Sequence, residues 1–254
     1  MNARLCMALA ALAIVPGSSA LAQTTDQPWG VELATGRQQL SNNSPDWTET
    51  SLRLGRGWGT REVSELGAVR TERFGLQDEQ YTALFVRPVS AQLTATVDGS
   101  VSPTHRVLAR HHAGGSLQYE VAPAWLVHGG LRSTWYNNAA VTQGSAMLEH
   151  YVSAFSWLLA WRPVQTLGTS TASVEARGNY YYDERSAVGL SLSSGQEAVV
   201  ISETELRLAD VQALALTGRH WLDTRWAINY EWSSTRYGDF YTRSGWRIGV
   251  QHRF

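Results

Sequence analysis

The sequence contains no lysine: all 21 of its basic residues are arginine. That absence excludes a Walker A lysine, a Schiff-base lysine and any lysine general base. Cysteine is nearly absent as well, with Cys6 alone. Cys6 sits in an apolar leader, so beyond it the chain offers no disulfide, no thiolate nucleophile and no cysteine zinc site. A basic excess is also missing. The 21 arginines face 22 carboxylates, for a formal net charge of −1. Nucleic-acid binders usually carry such an excess, so no nucleic-acid partner is expected. Finally, no apolar run reaches the ~18 to 20 residues that a membrane-crossing helix needs.

The leader reads MNARLCMALAALAIVPGSSALAQ. Arg4 is a short positive region, Leu5 to Val15 an apolar core, and Ala20-Leu21-Ala22 an A-x-A cleavage site. This is the pattern of a secretory signal peptide over residues 1–22, to be set apart from the fold at 23–254. Cys6 lies inside the apolar core rather than after a lipobox, so a lipoprotein is not expected.

What the chain has is alternation and tryptophan. Counting back from the end, Phe254, His252, Val250, Ile248 and Trp246 share one face, with Arg253, Gln251, Gly249, Arg247 and Gly245 on the other. Before them, Trp226, Ile228, Tyr230 and Trp232 oppose Arg225, Ala227, Asn229 and Glu231. A period of two marks strands with different solvents on their two faces. Soluble sandwiches alternate too, but here aromatics crowd the apolar face at strand ends. With 11 Trp and 10 Tyr, the pattern is that of a transmembrane β-barrel with aromatic girdles. Backbone polar groups in hydrocarbon need internal partners, so strands can span only as a closed barrel.

Reading such runs between Gly, Pro, Asn, Asp and Ser gives about fourteen strands, with twelve as the alternative. The fold class is therefore all-β, a closed antiparallel transmembrane barrel. One expected strand is long, Thr104 to Val121, with a bulge or bend at Gly114-Gly115. Gly57 to Thr60 reads as a tight turn and Gly195 to Glu203 as a loop. Turns near Gly57, Pro88, Pro123, Ser153, Asp183 and Asp223 read as short, and most connections at the opposite end as longer. An even count puts both chain ends on one side, the periplasm in a bacterial barrel.

The final strand, with Trp246, Ile248 and Val250 at alternate positions and Phe254 at its end, is similar to the signal read by the outer-membrane assembly machinery. His252 departs from that pattern. The segment Thr217 to Phe254, TGRHWLDTRWAINYEWSSTRYGDFYTRSGWRIGVQHRF, resembles the C-terminal half of YaiO-type outer-membrane β-barrel proteins. The resemblance is firmest from Gly218 to Phe254. It implies location in the outer membrane, with outer-membrane lipids and the barrel assembly machinery as partners. It also implies association with a surface polysaccharide and its glycan-export components.

Function is sought on the face turned from lipid. Its candidates are Glu49, Arg53, His128, Arg132, Glu175, Arg177, Asn179, Tyr181, Arg225, Asn229, Glu231, Arg243 and Arg247. Such a set either forms a salt-bridged ladder closing the lumen or lines a path for a polar glycan. Arg forks grip carboxylates and phosphates, and Tyr or Trp stack on sugar rings. No cofactor is implied. His111 and His112 are adjacent, so in a strand they point to opposite faces and cannot readily share a metal. A barrel-wall hydrolase would need a Ser, a His and an acid in reach of one another. His150 lies near Ser153 and Ser156 in sequence, and His128 near Ser133. These pairings are ordinary for residues so common, and no catalysis is expected.

Overall fold

The computed structural model describes residues 7–8, 29–202 and 205–254. The signal peptide expected over residues 1–22 lies outside the described residues, apart from a two-residue strand, Met7–Ala8. That strand pairs with Val200 and Val199, beyond Gly195, the last residue of its host strand to pair on that side.

Fourteen strands form the body of the fold. They are β1 (Trp29–Leu40), β2 (Trp47–Gly59), β3 (Glu62–Arg73), β4 (Leu76–Pro88), β5 (Leu93–Val101), β6 (His111–Ala122) and β7 (Trp125–Trp135). Then come β8 (Ala140–Val152), β9 (Phe155–Thr166), β10 (Thr169–Tyr181), β11 (Ala187–Ser202), β12 (Glu205–Trp221), β13 (Trp226–Tyr237) and β14 (Tyr241–Arg253). Each strand pairs antiparallel with its sequence neighbours. β14 pairs with β1 from Arg243↔Leu40 to Arg253↔Gly30, so the sheet closes on itself and leaves no edge along the barrel. Trp29 and Phe254 exchange backbone hydrogen bonds at one end of that seam.

The outer wall carries an apolar band between two aromatic levels. On β13 the outward residues Trp226, Ile228, Tyr230 and Trp232 give way to Ser234 and Arg236. On β14, Val250, Ile248 and Trp246 give way to Ser244 and Thr242. On β1, Val31 and Leu33 give way to Thr35, Arg37 and Gln39. Four or so outward positions match the ~25 Å apolar belt of outer-membrane barrels. Near the chain ends the girdle holds Trp29, Trp58, Trp125, Trp157, Tyr180 and Trp226. There the rings place apolar bodies in lipid and polar edges at the headgroups. Above the second aromatic level the outward residues are polar, so the strands continue past the membrane on the far side.

That extension explains where the sequence pattern misleads. Residues 195–202 are strand, not loop, and pair with β12 from Gly195↔Val211 to Ser202↔Glu205. Clear of lipid, they need no apolar face, so alternation is lost while backbone pairing persists. The long strand from Thr104 also fails: β6 begins at His111. Residues 102–110 form a loop because Asp78 replaces the ladder, its carboxylate accepting the N–H groups of Val107 (2.6 Å) and Leu108 (2.9 Å). Gly114-Gly115 stays in register, and the irregularity of β6 lies between Glu120 and Ala122. β2 runs on through Gly59, leaving the turn to Thr60 and Arg61. Among described connections at the far end only 41–46 and 102–110 are long. Phe74-Gly75 and Leu167-Gly168 are two-residue turns with positive φ at both positions (54° and 75°, 48° and 76°). That is the type I′ geometry that matches strand twist, and glycine enters it without a Cβ penalty.

Candidate functional site

Strand register and exposure put two kinds of residue on the interior wall: charged side chains in clusters and small residues between them. Glu49, Arg53, His128, Arg132, Glu175, Arg177, Asn179, Tyr181, Asn229, Glu231, Arg243 and Arg247 all fall on the interior side of their strands. Arg225 does not. It lies in the exposed turn before β13, where its N–H donates to Asp223 and its carbonyl accepts from Arg253. Trp246, Ile248 and Val250 face outward and are half exposed, as is Phe254.

The first cluster spans the closing seam. Glu32, on β1, accepts from Arg53 on β2 (2.8 Å), Arg247 on β14 (2.8 Å) and Asn229 on β13 (2.8 Å). Arg53 also lies 3.8 Å from Glu65 on β3. In the second cluster, Asp98 on β5 receives Arg132 from β7 (2.8 Å), reaching across β6. Gly114 stands between them, and a Cβ there would lie 2.7 Å from the Asp98 carboxylate. A third joins Glu175 to Arg162 (2.5 Å) and Arg177 (2.7 Å), and a fourth joins His128 to Glu149 (3.2 Å). Charge-assisted bonds of this kind keep ions inside the barrel tolerable where the lipid face would not.

The pairing of residues overlooked in the sequence completes the picture. Glu32, Glu65, Asp98, His112, Glu149 and Arg162 are the missing partners; Asp98 lies in β5 where the sequence reads as a loop, and Glu65 on a strand whose faces the sequence does not assign. Only the register between strands shows who meets whom.

Two tryptophans mark the ends of this wall. Near the far end, Trp47 is buried, with the guanidinium carbons of Arg73 and Arg243 at 4.8 and 4.9 Å from its ring centre. Tyr136, in the turn after β7, sits close by, and burial pushes its hydroxyl pKa up, opposed by Arg73. Near the chain ends, Trp221 is equally buried, with Arg185 and Arg253 at 4.2 and 4.7 Å. Neither indole Nε1 has a hydrogen-bond partner among the described residues.

The histidines divide by face. His111 stacks on Trp135 (4.7 Å), His150 on Trp125 (3.9 Å) and His252 against Trp226 (4.3 Å), all on the outer wall. The Ser neighbours picked out by sequence proximity fall on the opposite face from their histidines: Ser156 points inward and His150 outward, while His128 points inward and Ser133 outward. A different trio does form. His112 Nδ1 lies 2.5 Å from Ser100 Oγ, and its Nε2 lies 2.8 Å from Asp98. Among the described residues no cluster of His, Asp and Glu could hold a metal ion.

Comparison with known proteins accords with this geometry. The YaiO membrane beta barrel domain matches residues 30–199, from the start of β1 into β11. The match lies upstream of Gly218 to Phe254, the segment over which the sequence resemblance is firmest. Compared with curated protein sequences, the chain matches none. Among solved structures it is similar to a bacterial polysaccharide outer membrane secretin, with a TM-score of 0.63 at 10% identity, covering 91% of this chain and 100% of that one. It is also similar to the outer membrane protein Omp33 of Acinetobacter baumannii, with a TM-score of 0.57 at 8% identity, covering 90% and 99% of the two chains. The translocator domain of the autotransporter NalP from Neisseria meningitidis follows at 0.51 and 9%, covering 93% and 91%. These likenesses are of fold: closed barrels of the outer membrane. The chain belongs to the YaiO membrane β-barrel domain family.

Proposed function

We propose that this outer-membrane barrel serves as a channel or scaffold for the export or display of a surface polysaccharide. The observation that carries the proposal is the interior wall. Arginines and carboxylates from β1 to β14 line it, and two arginine-flanked tryptophans stand at its ends. Such a wall offers donors and acceptors to a hydrated, polyhydroxylated chain while the outer wall meets lipid. Likeness in fold to a protein described as a polysaccharide outer membrane secretin agrees with this reading.

Catalysis forms no part of the proposal. His112 is within hydrogen-bond reach of both Ser100 and Asp98, but Arg132 also holds Asp98. Ser100 pairs with Thr82 and His112 in regular ladders on both sides, so no pair of free backbone N–H groups waits for an oxyanion. The trio reads as part of the interior hydrogen-bond wall.

A second reading, a closed barrel acting through its loops or partners, is favoured by one feature. At the far mouth Trp47, Asp78 and Tyr237 are nearly inaccessible, and the 102–110 loop is tied down over Asp78. A deletion strain separates the two. Under the channel reading, cell-surface glycan falls and glycan accumulates in the periplasm. If surface glycan is unchanged in amount and position, the polysaccharide proposal fails.

A further inference from the structure

The interior charges are not evenly matched. Along the wall, Arg53, Arg132, Arg162, Arg177 and Arg247 each meet a carboxylate within 2.8 Å. Arg185 and Arg219, at the end where Trp29 and Phe254 meet, do not. Among the described residues neither forms an ion pair. Arg219 comes from β12 and uses only its Nε, which donates to the Arg185 carbonyl (2.9 Å). Its two terminal nitrogens have no protein partner among the described residues. Arg185, in the turn after β10, donates to the carbonyls of Thr224 (3.1 Å) and Asp223 (3.3 Å) and lies over Trp221. Both arginines are half-buried.

Nearby acids are already engaged. Glu32, the carboxylate that acts on Arg219, is held by Arg53 and Arg247. Asp223 accepts the N–H groups of Arg225 and Trp226 (2.7 Å each), and Asp183 accepts that of Glu184 (2.7 Å). Two neighbouring guanidiniums without a counter-ion are costly in a half-buried site. Trp221 adds an independent sign of an absent acceptor: it is 7% exposed, and its buried Nε1 donates to nothing described.

We propose that Arg185, seated on Trp221, and the neighbouring Arg219 form a binding station for an oxyanion at the periplasmic mouth. Its occupant is a carboxylate or phosphate carried by the glycan that the barrel serves, so the inference rests on the polysaccharide reading. The forked terminal nitrogens of Arg219 suit two oxygens of one such group. An acidic chain arriving from the periplasm would be gripped here first, then meet arginines already neutralised by carboxylates. The station captures, and the balanced wall beyond does not retain.

The test is calorimetric titration of the folded full chain, in nanodiscs of neutral phosphatidylcholine, with a short oligogalacturonate and with inorganic phosphate. The uncharged oligosaccharide of the same length is the control. The expected result is binding of the acidic probes alone, weakened about 10- to 100-fold in Arg219→Gln, the loss expected when charge-assisted bonds to an anion go. Arg219→Lys restores part of it. Arg37→Gln, on the outer face at the far end, leaves it unchanged. Heat-dependent gel mobility certifies that each variant is folded. Equal binding by wild type and Arg219→Gln, or equal binding of the neutral sugar, overturns the proposal. So does loss of binding when the nanodisc contains phosphatidylglycerol, which would make a lipid headgroup the occupant. Because no transport is measured, a non-conducting barrel that still binds the acidic probe would contradict the channel reading and leave the station standing.

Discussion

Glu32 on the first strand lies 2.8 Å from Arg247 on the last, so the seam that closes the barrel is held by an ion pair as well as by backbone ladders. The same carboxylate also receives Arg53 and Asn229. Replacing it leaves two guanidiniums facing each other with no carboxylate between them. Glu32→Gln is predicted to lower the stability of the folded barrel by about 2 to 3 kcal/mol, the scale of charged hydrogen bonds lost while their partners remain. Urea titration followed by heat-dependent gel mobility measures this. Arg37→Gln, which breaks the exposed pair with Asp46, should cost about 1 kcal/mol or less.

The seam also depends on a close approach of backbones. Gly245 faces inward on β14, and a Cβ there would collide with the Arg37 carbonyl of β1. Backbone cannot swing aside as a side chain does. Gly245→Val is predicted to slow or block closure, trapping a form that migrates as unfolded. Gly178→Val, where a Cβ would meet nothing, should assemble at the wild-type rate.

The lipid-facing band makes a depth-dependent prediction. Leu131 faces outward on β7 and is 69% exposed. Leu131→Arg should destabilise the barrel by about 2 to 4 kcal/mol in a bilayer, the penalty of an arginine near the midplane. Ser234→Arg, above the second aromatic level on β13, should cost about 1 kcal/mol or less. Folding titrations into vesicles distinguish them, and equal penalties would count against the assignment of the band.

How far the sequence shows this architecture depends on which link is asked for. Alternation showed the faces of strands near lipid: it set Trp226, Ile228, Tyr230 and Trp232 apart from Ala227, Asn229 and Glu231, as the barrel does. It also put Arg132, Glu175 and Arg247 on the inner face, because inner and outer solvents differ wherever the band applies. Past the band the outer face no longer meets lipid, alternation is lost, and the strand from Gly195 to Ser202 looked like loop. Partnership was illegible for another reason. Arg247 and Glu32 are 215 residues apart, and Arg132 reaches Asp98 over an intervening strand. Those meetings depend on register and closure, which local pattern does not encode. The Arg185 and Arg219 pair was hidden similarly, since one sits in a turn and the other on the strand after next.

One acid-range effect follows from the turn before β13. The N–H groups of Trp226 and Arg225 hold the Asp223 carboxyl below its ordinary value. A depressed folded pKa contributes stability above the unfolded value of about 3.9, and that contribution is lost as pH falls through the folded value. Asp223→Ala should therefore be less stable than wild type at pH 7, with the gap closing below about pH 4. Thermal midpoints of gel mobility across pH 3 to 7 would show it, and a gap constant with pH would not fit.

The central claim is that the charged interior is a path. Single-channel recording of the refolded chain in a planar bilayer tests it most directly. The account predicts discrete conductance steps that acidic oligosaccharides block, with a reversal potential shifted by Arg247→Ala. Silence from a barrel shown to be folded by its heat-dependent mobility would contradict it and leave a closed scaffold stapled by Glu32, Asp98 and Glu175.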